Sequence, residues 1–210
     1  MKSEGKKSVA QAAAPNTLSL KKLREVAKQC KACPLWKTGT QTVFGEGLRT
    51  ARVMLVGEQP GNDEDLAGKP FVGPAGKLLD RALFEAGIDR SQVYITNAVK
   101  HFKWEAKGKR RIHKKPNSRE IAACRPWLEA ELDILKPDLL ICLGATAAQS
   151  LLGREFKVTQ HRGELIDLPL ARHVMATVHP SSILRAPDEE TRRIEMERFI
   201  ADLRTAAQMM

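Results

Sequence analysis

The sequence predicts a layered α/β fold. Four short apolar runs are each bounded by turn residues, at 53–56, 93–96, 139–143 and 174–178. Each run is apolar throughout instead of alternating, which is typical of strands buried on both faces of a parallel sheet. Stretches with helical spacing separate the runs, and this βαβ alternation indicates helices packed against the sheet. The 210 residues suit one ordinary domain.

The helical stretches lie at about 75–86, 118–135, 145–152 and 189–207. A further helix starts near Leu18 and ends close to Cys30 and Cys33, where Pro34 prevents its continuation. We expect a hairpin near 157–168, before the fourth strand. Residues 1–16 show no periodicity and predict a mobile tail, so that residues 17–210 form a single domain.

The composition indicates an acidic partner. The chain has 35 Lys and Arg residues against 25 Asp and Glu residues, a formal net charge of +10, and 42% of its residues are hydrophobic. Fibrous and wholly disordered classes are excluded. No apolar run reaches the roughly 18 residues of a membrane span, and the N-terminus lacks the core of a signal peptide. We therefore expect a cytoplasmic protein that does not bind membranes.

Ligands of parallel sheets bind beyond the carboxyl ends of the strands. The polar residues that follow the predicted strands are Glu58, Gln59, Asn97, His179, Ser181 and Ser182. The turn 57–61 lacks the Lys and Ser/Thr of a phosphate loop. Read alone, that turn is more typical of a structural turn than of a catalytic one.

Phe71 is the single aromatic residue of a Gly/Pro-rich loop. It could stack on a planar ligand, or it could pin the loop to the core, and the residues alone leave both open. The nearby acidic residues 63–65 resemble a hard-metal site, but a solvated acidic loop is the commoner case, and we interpret them so.

Residues 103–119 contain eight basic residues and one acidic residue. Inside a folded chain, such a segment predicts a loop that contacts phosphates, with Lys109, Arg110 and Arg111 as its centre. His113 follows them directly. The neighbouring cations favour its neutral form, which leaves a ring nitrogen able to act as a base or nucleophile.

Cysteines 30, 33, 124 and 142 complete the candidates. In a reducing compartment, disulfides are rare and metal or cluster binding is open. Only Cys30 and Cys33 form a close pair. Cys124 lies on a helix and Cys142 within a strand, so either could equally be a buried core thiol.

In their order, six motifs over about residues 20–205 resemble the uracil-DNA glycosylase superfamily, within it the iron–sulfur class, and within that class the UdgX branch. They are C-x-x-C-P (30–34), GEQPG (57–61), GKPFVG (68–73), NAVKH (97–101), KRRIH (109–113) and HPSS (179–182). The resemblance implies a three-layer αβα fold with a central four-stranded parallel sheet, a [4Fe–4S] cluster and excision of uracil from DNA. In the UdgX branch, excision ends with the enzyme covalently attached to the DNA.

Three departures from the broader iron–sulfur class bear on this assignment. Gln59 replaces the usual Ala, and an inserted segment carries Lys109 to His113; both support the UdgX branch. His101 stands where the class usually has its third cysteine. The resemblance therefore implies Cys30, Cys33, His101 and Cys124 as cluster ligands, although zinc also accepts three cysteines and one histidine.

The resemblance also implies roles in the reaction. Phe71 stacks on a uracil from a single strand or flipped out of a duplex, Asn97 bonds its Watson–Crick edge, and His179 stabilises the charge that develops on uracil O2. Ser181, Ser182 and the three cations 109–111 bind the rest of the DNA. We expect a monomer.

In the UdgX branch, His113 attacks C1′ of the sugar. Glu58 would accept or orient the imidazole proton, and Gln59 would help to hold the site. Two alternatives remain. One is a hydrolytic uracil-DNA glycosylase that turns over, with His113 only contacting phosphate, and the other is a zinc-containing nucleic-acid-binding module without enzymatic activity.

Overall fold

A computed structural model describes Ala14 and residues 19–210. The predicted tail at 1–16 lies outside the described residues apart from Ala14. The described part contains helices α1 (Leu20–Ala27), α2 (Asn62–Ala67), α3 (Pro74–Glu85), α4 (Ser118–Leu135), α5 (Ala145–Leu152), α6 (Pro180–Leu184) and α7 (Glu189–Ala207). Its strands are β1 (Val53–Gly57), β2 (Val93–Asn97), β3 (Trp104–Lys107), β4 (Arg110–His113), β5 (Leu139–Leu143), β6 (Leu165–Ile166) and β7 (His173–Thr177).

The central sheet has the order β2-β1-β5-β7-β6. Its four long strands are parallel to one another, which confirms the predicted parallel core. The fifth strand, β6, is two residues long and pairs antiparallel with β7 at one edge. The hairpin expected near 157–168 does not form within that segment. The segment contains one strand, β6, which pairs with β7.

Alternate residues of the strands feed two cores, one on each face of the sheet. One core joins the sheet to α3, α6 and α7 through residues such as Leu79, Leu83 and Phe199. The other packs α4 and α5 against Met54, Tyr94 and neighbouring residues. The result is the three-layer α/β arrangement that the sequence predicted. No helix in the described part is both long and apolar enough to cross a membrane.

The basic segment differs from its prediction. It forms an antiparallel hairpin of β3 and β4 instead of an irregular loop, with Trp104 opposite His113 and Lys107 opposite Arg110. Gly108, at φ 59°, lies in the turn, where a left-handed backbone favours glycine. The hairpin structure gives His113 a fixed place relative to the sheet.

Candidate active site

A cavity of about 570 Å³ opens at the carboxyl ends of the parallel strands. Its lining includes seven of the predicted site residues: Glu58, Gln59, Phe71, Asn97, His113, His179 and Ser181. Ser182, Lys109, Arg110 and Arg111 lie outside the lining. The rule that ligands bind beyond the ends of parallel strands therefore located most of this site from the sequence.

Asn97 ends β2 and is 2% exposed. Its side-chain oxygen Oδ1 is buried without a hydrogen-bond partner among the described residues. Gly57 keeps this space open, because a Cβ atom there would lie 2.4 Å from Asn97 Oδ1 and 2.7 Å from the ring of Phe71. A buried polar atom without a partner costs about 1–3 kcal/mol. A ligand that donates a hydrogen bond to Oδ1 would remove that cost.

Phe71 has a left-handed backbone, with φ 55°, and its ring centroid lies 5.7 Å from that of His179. The loop that carries it is fixed by Glu64, which accepts hydrogen bonds from the backbone nitrogens of Gly61 (3.0 Å) and Gly73 (2.8 Å). The interpretation of residues 63–65 as a solvated acidic loop is wrong, because they lie in α2 and Glu64 is buried. This carboxylate holds Phe71 at the cavity.

His179 precedes α6, and its Nδ1 accepts hydrogen bonds from the backbone nitrogen (3.1 Å) and hydroxyl (2.7 Å) of Ser181. A ring nitrogen that accepts carries no proton, so the neutral ring is protonated at Nε2. Burial and the nearby Arg185 and His113 lower the pKa of His179 to about 4. At neutral pH it is therefore an uncharged hydrogen-bond donor. Ser182 donates to the carbonyl of His179 (2.7 Å) and supports the start of α6.

Gln59 fixes the base of the hairpin. Its amide nitrogen donates to the carbonyl oxygens of Lys103 (3.2 Å) and Lys114 (2.9 Å), and its Oε1 accepts from the backbone nitrogen of Lys103 (3.1 Å). Carbonyl groups only accept and the backbone N–H only donates, so these bonds define which end of the amide is the nitrogen. Gln59 thus joins the turn after β1 to both strands of the hairpin.

His113 faces the same amide nitrogen. Its Nε2 lies 2.8 Å from Gln59 Nε2 and 3.4 Å from Glu58 Oε1. The amide nitrogen has two hydrogens for three neighbours, the two carbonyl oxygens and His113 Nε2, and the contact with Nε2 is the shortest of the three. Because the amide nitrogen can only donate, this contact places the Nε2 lone pair toward the amide and the ring proton on Nδ1. Burial lowers the pKa of His113, with Glu58 opposing and Arg185 reinforcing the shift. The cavity therefore contains an unprotonated imidazole nitrogen beside a carboxylate.

The three central cations of the hairpin have different surroundings. Lys109 and Arg110 are exposed at the turn. Arg111 instead pairs with the buried Asp65 (2.7 Å) and stacks over the rings of Phe102 and Trp104. Arg111 therefore anchors the hairpin to α2, and its contact with phosphate stays a prediction.

Comparison with known proteins identifies the family. The family model of the uracil DNA glycosylase superfamily matches residues 44–204. The chain belongs to this superfamily. A relative named type-4 uracil-DNA glycosylase from Thermotoga maritima is 42% identical over 174 residues, covering 82% of this chain and 87% of the relative. One of the same name from Pyrobaculum aerophilum is 39% identical, covering 81% and 87%. A type-5 uracil-DNA glycosylase from Thermus thermophilus is 30% identical, covering 84% and 82%.

Two cavity residues of this superfamily member escaped the sequence reasoning. The hydroxyl of Thr146, near the start of α5, donates a short hydrogen bond to Glu58 Oε2. Arg185, just after α6, lowers the pKa values of both cavity histidines. Thr146 follows the third parallel strand, β5, so the rule that identified Asn97 and His179 would have found it. Arg185 lies further from a strand end, so this rule does not identify it.

Three of the four cysteines share one buried cluster with Trp127. The indole nitrogen of Trp127 donates to Cys30 Sγ (3.2 Å), and the backbone nitrogen of Lys100 donates to Cys124 Sγ (3.2 Å). Burial raises the pKa of Cys124 to about 12, and Cys33 and Cys30 add to this rise. Cys142 belongs to the core between the sheet and α4. The three thiols predicted as ligands thus lie together, apart from Cys142.

His101 is the fourth residue predicted as a cluster ligand in this chain. It is buried, and its Nε2 lies 3.1 Å from Thr42 Oγ1. Among the described residues, no group of three or more His, Cys, Asp or Glu side chains is arranged to hold a metal ion. The donor chemistry fits a cluster, since N–H groups point at two of the sulfurs, as is usual for cluster thiolates. The side chains do not form a closed coordination shell.

Proposed function

We propose that this chain acts as a monomer that excises uracil from DNA. The observation that carries the proposal is the unpartnered Oδ1 of Asn97 in the strand-end cavity. Relatives that share 42% and 39% of its residues over most of both chains are named uracil-DNA glycosylases. The target nucleotide is taken from a single strand or flipped out of a duplex, because the glycosidic bond cannot be reached inside the stack.

The cavity selects uracil by the direction of its hydrogen bonds. The N3–H of uracil donates to Asn97 Oδ1, and its O4 accepts from the Asn97 amide nitrogen. Cytosine presents the opposite donor and acceptor pattern, so it would leave both groups of the buried amide unpaired. Phe71 stacks on the base, and the Nε2–H of His179 donates to O2, where negative charge develops as the bond breaks.

We further propose that His113 captures the sugar, as in the UdgX branch. The C1′–N1 bond breaks and its electron pair leaves with uracil. The lone pair of His113 Nε2 forms the new bond to C1′, giving an alkylated imidazolium that retains its Nδ1 proton. Glu58 lies 3.4 Å from Nε2, the nitrogen without a proton, so it stabilises this positive charge instead of accepting the imidazole proton as expected from the resemblance. Loss of the Nδ1 proton to solvent leaves a neutral product. A neutral alkylated imidazole is a poor leaving group, so turnover stops.

Three features support capture. The Gln59 amide faces His113 Nε2 and keeps that nitrogen unprotonated, and the hairpin fixes the ring at the cavity. The lowered pKa favours the neutral ring, whose Nε2 lone pair leaves the Gln59 N–H when it attacks C1′. Holding a nucleophile beside its target raises its effective concentration far above that of a free reagent. The side chain of His113 is also 48% exposed, which would allow water to reach the sugar in a hydrolytic enzyme.

A denaturing gel separates the two outcomes. Mixing the protein with a uracil-containing oligonucleotide should give a band of protein joined to DNA, whereas a thymine-containing control should not. His113→Ser should abolish this band and still release uracil with an abasic product, because Phe71, Asn97 and His179 remain. Peptide mapping should place the sugar on His113. Release of uracil by the native protein without a band would support hydrolysis, and an adduct on Lys109 or Lys114 would contradict the mechanism.

We also propose that Cys30, Cys33, His101 and Cys124 hold a [4Fe–4S] cluster. It would serve as a structural link between α4 and the segment after α1. The protein should absorb broadly near ~400 nm, whereas a zinc protein is colourless. Cys124→Ala should lose the colour and Cys142→Ala should retain it. The reverse pattern would show that the ligand set is wrong.

A further inference from the structure

Thr146 is bonded to the carboxylate that faces His113. It is the second residue of α5, is 3% exposed and lines the cavity. Its hydroxyl donates to Glu58 Oε2, while Glu58 Oε1 is the oxygen that lies 3.4 Å from His113 Nε2. Each carboxylate oxygen therefore has a different neighbour, one from α5 and one from the hairpin.

This bond restricts how the carboxylate can turn. The last torsion of a glutamate is broad, with little intrinsic preference for one orientation. Glu58 is 21% exposed on its side chain, so solvent would allow it to rotate. A hydrogen bond to a charged carboxylate is stronger than one between two neutral groups. Thr146 therefore holds Glu58 with one oxygen directed at His113.

We propose that Thr146 is a positioning residue that determines how the reaction divides between capture by His113 and hydrolysis. The inference rests on the proposed function. When Glu58 is held beside His113, its charge stabilises the imidazolium that capture produces. When Glu58 is free to turn into the cavity, that stabilisation is lost and the carboxylate can orient a water molecule toward C1′ instead. Loss of the Thr146 hydroxyl therefore lowers adduct formation more than it lowers uracil release.

Two substitutions separate the hydroxyl from the packing of the side chain. Thr146→Val keeps the shape and removes the hydroxyl, whereas Thr146→Ser keeps the hydroxyl and removes a methyl group. Both are tested in single-turnover reactions on a uracil-containing single strand, with the adduct, the free abasic product and released uracil measured together. Thr146→Val should slow adduct formation by roughly tenfold or more and raise the abasic share of the product. Thr146→Ser should restore the native division.

A double substitution tests whether Thr146 acts through Glu58. In a Glu58→Ala background the hydroxyl has no carboxylate to hold, so adding Thr146→Val should cause no further change in the product ratio. Equal adduct yields from native and Thr146→Val proteins would overturn the inference, as would a larger defect in Thr146→Ser than in Thr146→Val. A native protein that releases uracil without any adduct would overturn the proposed capture, and this inference with it.

Discussion

Two polar networks meet at Asn97, and they differ in how completely their atoms are paired. Behind β2, the ammonium group of Lys100 bonds Glu131 (2.5 Å), Thr96 (2.6 Å) and the backbone carbonyl of Asn97 (2.8 Å). Glu131 also accepts from Tyr94 (2.8 Å). In front of β2, the cavity leaves Asn97 Oδ1 without a partner among the described residues.

The difference separates what stabilises the fold from what recognises a ligand. Lys100 and Glu131 are 1% and 0% exposed on their side chains, and their bonds connect β2 to α4. A buried charge pair of this kind is tolerated only when each member is paired. The cavity instead keeps donors and acceptors directed into open space, which costs stability and serves binding.

The polar groups of Lys100, Thr96, Tyr94 and Glu131 form a closed network, in which each group has a partner. The largest expected effect comes from breaking this closed network. Lys100→Met should lower the free energy of unfolding by about 3–5 kcal/mol, because it leaves the buried carboxylate of Glu131 without its cation. Urea unfolding measures this change. The control is Arg125→Ala, which removes an exposed ion pair with Glu129 on α4 and should cost less than about 1 kcal/mol. Similar losses in the two variants would contradict the distinction between the networks.

The closed network shows where sequence reasoning ended. The apolar runs predicted the four parallel strands, and the strand-end rule predicted Glu58, Asn97 and His179 as cavity residues. The partner of Lys100 could not be predicted, because Glu131 is 31 residues away and lies on a different element. Helical spacing from Leu128 and Leu135 places Glu131 on the buried face of α4, but it does not indicate which residue pairs with it. Pairing between distant elements depends on packing, which a local pattern does not contain.

The cavity side of Asn97, where Oδ1 has no partner among the described residues, forms the open network. A substitution there should affect activity strongly and stability weakly. Asn97→Ala should reduce uracil release by about 100-fold or more, because both hydrogen bonds to the base edge are lost. The free energy of unfolding should fall little, since the side-chain oxygen has no partner to lose. Single-turnover kinetics and urea unfolding on the same preparation test both parts. A large loss of stability with a small loss of activity would assign Asn97 to the closed network.

The hairpin of β3 and β4 shows the same contrast between a paired and an unpaired side chain, in two neighbouring arginines of the described part. Arg111 is paired with buried Asp65, whereas Arg110 is exposed on the same strand. The sequence could not separate the two, because adjacent cations in a basic run look alike. Their difference comes from α2, which contributes Asp65 from 46 residues away. The hairpin itself was missed because its strands are short and mostly polar.

Arg110→Glu should therefore weaken DNA binding and make the binding constant less dependent on salt concentration. Each phosphate neutralised contributes about 0.9 to the slope of log K against log salt on duplex DNA and about 0.7 on single strands. Losing one contact should flatten the slope by about that amount, with stability unchanged. Arg111→Gln, the comparison variant, should lower the free energy of unfolding, because it leaves the buried carboxylate of Asp65 without this cation. An unchanged slope in Arg110→Glu would show that the hairpin turn does not contact phosphate.

The smallest expected effect is a shift in the pH profile of adduct formation. It concerns Arg185, a cation that lines the cavity. Capture needs an unprotonated His113, so the rate of adduct formation falls as the pH drops through the pKa of that ring. Burial and Arg185 lower this pKa, which places the fall below the usual imidazole value of 6.5. Arg185→Gln removes the cation and should raise the pKa, so the fall moves to higher pH. The shift should shrink as salt screens the interaction.

Arg193→Gln, on the exposed face of α7, is the control and should leave the profile in place. A profile that moves to lower pH in Arg185→Gln would mean that Arg185 acts on capture by a route other than the charge of the imidazole.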